Sequence, residues 1–126
     1  MKNLTRQNPG QLFVAQELIN KVKSKCCGIK VDEYIKYAVE VGEVSLSTEP
    51  GVLTMYAVKD KENPCLVTIL ETYSSKDAYE KHIASEHFQK YKKGTLHMVK
   101  SLQLCDQTPL NPANKIYNYI DYQLCE

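Results

Sequence analysis

Apolar and polar positions along the chain follow two periods, and their order predicts the elements. Residues 11–19, QLFVAQELI, carry enough apolar side chains for a first strand. Asn20 to Lys30 reads as a basic connection. From Val31 onward, Val31, Tyr34, Ile35, Ala38 and Val39 recur at helical spacing, which predicts a helix over 31–47 with Asp32 and Glu33 in its first turn. Glu49-Pro50-Gly51 stops that helix, because proline cannot continue its hydrogen bonding and glycine lets the chain reverse. Val52 to Lys59 reads as a strand, Asp60 to Pro64 as a charged hairpin loop, and Cys65 to Tyr73 as a strand apolar on both faces. Ser74 or Ser75 caps a second helix with Asp77 in its first turn. Ala78, Tyr79, His82 and Ile83 form one face of that helix. A further helical stretch begins near Ser85, with a kink, and its apolar stripe extends toward Lys100 although Gly94 weakens it. Leu102 to Cys105 makes a short last strand.

The order β-α-β-β-α-β predicts an α+β, ferredoxin-like fold with an antiparallel sheet and helices on one of its faces. The strand at 65–73 has no polar face to offer water, so the other face of the sheet needs cover, and a second copy of the chain is the simplest cover. A homodimer is therefore expected. Residues 1–10 read as a lead-in, 11–108 as the domain and 109–126 as a C-terminal extension, whose alternation in KIYNYIDYQL is that of an extra strand able to pair with a partner subunit.

Composition narrows the function classes. With 126 residues the chain holds one domain, and 43% hydrophobic with 25% charged residues is ordinary for a globular protein. A net charge of +1 with lysines scattered among glutamates offers no basic stripe for nucleic acid. No apolar run approaches the ~20 residues of a membrane span, and the polar N-terminus lacks a signal-peptide core. A cytoplasmic location is the expectation. The five cysteines, Cys26, Cys27, Cys65, Cys105 and Cys125, form no CxxC pair and read as free thiols of a reducing compartment.

Candidate chemistry sits between residues 49 and 88. Glu71 alternates with Ile69 and Tyr73, so all three share a face of their strand. Under the helices, desolvation raises the pKa of Glu71 and makes it a proton acceptor; at the strand end, it pairs with a lysine or caps an amide instead. His87 beside Phe88 is placed to take a phenolic proton, or to bond a carbonyl at the kink. Glu71 and His87 are expected to border one cavity, with Tyr73 lining it and Tyr91 and Tyr56 as further walls for an aromatic ligand. His82 lies five residues before His87, a spacing that separates the two on a regular helix and argues against a metal pair. His97 reads as a surface residue. No glycine-rich phosphate loop, nucleophile elbow or cofactor-binding loop is present, so neither a metal nor a cofactor is expected.

Several of these motifs occur together in a known family. Glu49-Pro50-Gly51 before a strand, Glu71-x-Tyr73 ending the central strand, Ala78 and His82 on the helix, and then Ser85-x-His87-Phe88 resemble the antibiotic biosynthesis monooxygenase (ABM) family of dimeric α+β barrels. The resemblance covers roughly residues 11–108. It implies a cofactor-independent monooxygenase acting on a small quinol or polyphenol-like aromatic with dioxygen, with His87 or Glu71 as base. Other members of that family degrade haem or isomerise a phosphorylated signalling sugar. Thus a small carbonyl or phosphosugar isomerase, or a non-catalytic small-molecule-binding stress-response dimer, are the alternatives. A tryptophan frequent in the family where Tyr73 stands is absent, and the chain has none at all, which speaks against haem degradation.

Overall fold

A computed structural model describes residues 10–20, 28–111 and 116. The elements are β1 (Gln11–Ile19), α1 (Gly28–Thr48), β2 (Val52–Lys59), β3 (Leu66–Tyr73), α2 (Lys76–Ala84), α3 (Glu86–Thr95), a 3₁₀ turn (Leu96–Met98) and β4 (Val99–Gln107). This is the expected α+β, ferredoxin-like arrangement. The four strands are antiparallel in the order β2-β3-β1-β4.

The helices cover one face. Ala15, Ile19, Val67 and Ile69 of the two central strands meet Val31, Tyr34 and Val41 of α1, and Tyr91 of α3, in the main core. A smaller core joins Phe13, Val52 and Tyr73, with Ala78 and Tyr79 of α2 packed on them. Fully burying such side chains contributes roughly 1.5–3 kcal/mol each before entropy is subtracted.

Helix α1 begins one turn earlier than expected, so Asp32 and Glu33 do not lie in its first turn. Its far end is closed by hydroxyls. Ser47 Oγ and Thr48 Oγ1 donate back to the carbonyls of Glu43 and Val44, and Pro50 follows. Gly51 is required there by close approach: a Cβ on it would lie 2.5 Å from the Ala78 Cβ of α2. The hairpin between β2 and β3 turns on Asp60, whose Oδ2 accepts from the amides of Glu62 and Asn63.

The second helical region breaks at one residue. Ser85 is extended (φ −71°, ψ 156°) between α2 and α3. Its amide and hydroxyl donate to the His82 carbonyl, and its hydroxyl oxygen accepts from the Phe88 amide. The serine thus ends one helix and caps the next. The stripe expected to run on toward Lys100 instead passes through the 3₁₀ turn, and β4 is longer than the expected 102–105.

Cys65 is fully buried and disulfide-bonded, which corrects the reading of five free thiols. Cys105 is free and exposed; Cys26, Cys27 and Cys125 lie outside the described residues. Disulfides persist in oxidising compartments, so the thiols lend the cytoplasmic expectation no support. No helix among the described residues is long and apolar enough to cross a membrane. The lead-in and nearly all of the extension lie outside the described residues. At position 116, the Ile116 carbonyl accepts hydroxyls from Thr54 and Thr72 on the helix-free face of the sheet.

Candidate active site

The site grows from the alternation of two central strands. On β1, Phe13, Ala15, Glu17 and Ile19 are buried in turn; on β3, Val67, Ile69 and Tyr73 are. Glu17 and Glu71 therefore both project from the helix-covered face, into a space where carboxylates are costly unless hydrogen-bonded. Both are hydrogen-bonded. Tyr73 Oη donates to Glu71 Oε1 at 2.7 Å, and Tyr91 Oη donates to Glu17 Oε2 at 2.6 Å. Tyr34 Oη lies 2.8 Å from Tyr91 Oη, completing a buried chain from α1 through α3 to β1.

Two cavities meet at Glu71. One, of about 40 Å³, lies toward α1 and β2 and is lined by Val41, Met55 and Ala57. The other is a cleft of about 380 Å³ between the sheet and helices α2 and α3, lined by Glu17, Tyr79, Ile83, Lys92, Leu102 and Leu104. Glu71, His82, Phe88 and Tyr91 line both. The larger volume is within the range that holds a small ligand, and its wall is mostly apolar with a few convergent polar groups.

Burial pushes the Glu71 carboxyl up to about 6. The hydrogen bond from Tyr73 works against that rise, and the charge of Glu17 adds to it. A carboxylate tuned so is half ionised near pH 6 and mostly ionised at neutrality, where it suits general-base work. Burial and the adjacent Glu71 charge push the Tyr73 hydroxyl far above its ordinary value, and burial, with the neighbouring Tyr34 hydroxyl and the Glu17 charge, does the same to Tyr91. Both phenols stay protonated and act as hydrogen-bond donors.

The structure brings together only some of the expected site residues. Glu71 and Tyr91 line the cleft. Tyr73 stands behind Glu71 in the smaller core, its ring edge-on to Phe13 and Tyr79. It orients the carboxylate and does not line the cleft. Tyr56 is the wrong wall: Met55 pairs with Glu71 and Ala57 with Ile69, so alternation turns Tyr56 to the helix-free face, where it is 60% exposed. Among the described residues, His87 lines neither of the two cavities that meet at Glu71. It lines a shallow depression with Tyr37, Glu40 and Lys90, and its Nε2 is 2.5 Å from Glu49 Oε2. The imidazole beside Glu71 is that of His82. Nor do His82 and His87 point apart. The break at Ser85 sets α3 off from α2, and His82 Nδ1 reaches the same Glu49 oxygen at 3.0 Å. His97 is exposed, as expected.

Glu17, Glu49 and Tyr34 carry polar contacts that the sequence expectations do not assign, Glu49 figuring there only as part of the turn motif. Glu17 had a visible signal: in QLFVAQELI it keeps phase with Phe13, Ala15 and Ile19, a charge on a core-facing stripe. Burial pushes the Glu49 carboxyl up, but the hydrogen bonds from His82 and His87 outweigh it and hold the group below its usual range. Burial lowers the His82 pKa against the opposing pull of Glu49.

Comparison with known proteins agrees with this architecture. The antibiotic biosynthesis monooxygenase family model matches residues 23–94. A crystal structure of a candidate antibiotic biosynthesis monooxygenase from Bacteriodes thetaiotaomicron superposes with a TM-score of 0.76 at 45% identity, covering 85% of this chain and 95% of that one. SnoaB, a cofactor-independent oxygenase from Streptomyces nogalater, superposes with a TM-score of 0.66 over 82% of this chain and 95% of its own, at 10% identity, a likeness of fold alone. A candidate monooxygenase from Nitrosomonas europaea gives 0.67 at 14% identity over 79% and 98% of the two chains, again a likeness of fold. No curated protein matches. With more than half its length matched by the family model, and 45% identity to one solved relative over 85% of its length, the chain belongs to the antibiotic biosynthesis monooxygenase family.

Proposed function

We propose that this chain is a monooxygenase that oxidises a small quinol or polyphenol-like aromatic in the cleft between the sheet and helices α2 and α3. The observation that carries the reading is the Glu71 carboxylate, raised to about 6 by burial and opening on a largely apolar cleft of about 380 Å³. Glu71 takes the phenolic proton. The phenolate passes one electron to dioxygen, and the radical pair combines to a carbon–peroxide bond at the ring. Glu71 returns its proton to the peroxide, and loss of water, which carries off that proton and the ring proton, leaves a quinone. The substrate supplies every electron, so the scheme needs no flavin or nicotinamide. The protein's part is desolvation, orientation and base placement. Phe88 and Tyr79 offer ring faces to the substrate, and Tyr91 a hydroxyl edge.

The cleft sets two glutamates, Glu17 and Glu71, against Lys92. That balance suits a weakly acidic phenol better than a phosphorylated sugar, and so favours oxygenation over the isomerase. Oxygen uptake with a panel of small quinols tests the reading. Uptake that saturates with one class of quinol, at one dioxygen per quinone formed, is the expected result. No uptake with any quinol, alongside turnover of a carbonyl compound, would overturn it.

The active form is a dimer joined through the helix-free face of the sheet. Tyr56 and Val58 stand 60% and 48% exposed there, beside Val14 and Leu70. Sedimentation of the full chain at micromolar concentration is expected to give twice the chain mass, and Val58→Asp to halve it. A parent protein that sediments as a folded monomer would refute the dimer.

A further inference from the structure

We infer that Glu49, His82 and His87 form a binding site for one divalent transition-metal ion of the zinc type, which shares only the His82 ring with the cleft wall and is argued independently of the oxygenase reading. The three residues come from separate pieces of chain: Glu49 from the turn after α1, His82 from the last turn of α2, and His87 from the first turn of α3. Their donor atoms, Glu49 Oε2, His82 Nδ1 and His87 Nε2, all lie within 4.8 Å of one another. The Glu49 oxygen is 3.0 Å from one imidazole nitrogen and 2.5 Å from the other.

A zinc ion with bonds of about 2.0–2.2 Å needs donors roughly 3.3 Å apart. The carboxylate therefore has to retreat by less than 1 Å from each ring, and the two imidazole nitrogens, within 4.8 Å of each other, close on the ion by side-chain torsions. Two imidazoles and a carboxylate are the donor set of catalytic zinc and non-haem iron sites, with a fourth position left for water. Magnesium and calcium prefer all-oxygen shells and fit poorly. The site is sheltered but reachable: the His82 side chain is 3% exposed, against 16% for Glu49 and 21% for His87. Ser45 Oγ, 3.5 Å from His82 Nδ1, stands beside the donor set.

A hydrogen-bonded triad with no metal affinity is the competing account, and titration separates the two. Chelator-treated full-length protein is titrated with Zn²⁺, with Co²⁺ as a spectroscopic probe and Mg²⁺ as a control. The expected result is one Zn²⁺ per chain, Co²⁺ bands free of thiolate charge transfer, and little Mg²⁺ binding. Glu49→Gln and His87→Ala are each expected to weaken Zn²⁺ binding at least tenfold. Glu49→Gln keeps an oxygen to accept from one ring, and circular dichroism verifies that both variants fold. Zn²⁺ binding below stoichiometry, affinity unchanged in both variants, Mg²⁺ binding as tightly as Zn²⁺, or thiolate bands from the cysteines would each overturn the site.

Discussion

Glu71→Gln is expected to lower turnover of a quinol substrate by ~10²–10⁴-fold, the usual contribution of a positioned base. Glutamine keeps an oxygen to accept the Tyr73 hydroxyl, so the local hydrogen bond survives while proton acceptance is lost. The pH dependence carries a sharper signature. In the parent protein, kcat/KM is expected to rise with pH through about 6, the value to which burial pushes the Glu71 carboxyl, and that limb should vanish in the variant. Stability moves the other way. The carboxyl ordinarily titrates at 4.5. Its folded value is higher, so the fold binds the proton more tightly than the unfolded chain does. The stabilisation is therefore full below about 4.5 and is lost as pH rises through about 6. The gap corresponds to about 2 kcal/mol. Above pH 7, Glu71→Gln should be as stable as the parent or more so, by up to about 2 kcal/mol in urea denaturation. A variant that keeps native turnover and the native pH limb would remove Glu71 from the chemistry.

Tyr91→Phe is expected to cost stability and substrate binding together. The Tyr91 hydroxyl donates to the buried Glu17 carboxylate and meets the Tyr34 hydroxyl, so its removal leaves a buried acceptor short of its donor. An unsatisfied buried polar group costs ~1–3 kcal/mol, more when charged. The cost should appear as a lower urea midpoint with an unchanged slope, because the surface exposed on unfolding hardly changes. Tyr91 also lines the cleft, so KM should rise. Equal stability of parent and variant would show that Glu17 does not depend on this donor. Tyr34→Phe is the control, because it removes a hydroxyl from the same chain without touching the cleft lining.

The hydrogen-bonded carboxylates, and not the motif histidine, organise the cleft. Glu71 and Glu17 each lean on a tyrosine hydroxyl that cannot ionise at ordinary pH, which holds the carboxylates in place without neutralising them. His87 serves a different cluster. The two clusters touch through His82, whose ring lines the cleft on one side and reaches Glu49 by its Nδ1. Its ring centroid is 5.1 Å from Phe88 and 5.4 Å from Tyr73, so a shift at Glu49 reaches the cleft wall through packed rings.

Local signals in the chain were enough for the element order and the fold class. Helical spacing from Val31, the Pro50-Gly51 stop, the Asp60 turn and the Ser75 and Ser85 caps all act within a few residues, and each is seen in the structure. Alternation put Glu71 on one face with Ile69 and Tyr73 for the same reason, and packing made that face the helix-covered one. Which side chains converge was a different matter. Tyr56 turned away because the pairing of Met55 with Glu71 fixes the face, and strand pairing depends on the β2–β3 register, with its shift between Val52 and Thr54. His82 and His87 met because one extended residue, Ser85, redirects the helix, and Glu49 met both because the turn after α1 packs against that break. These contacts join residues more than thirty positions apart. Periodicity reports which face a residue occupies, whereas convergence is set by how elements cross and in what register, and those are properties of the packed chain.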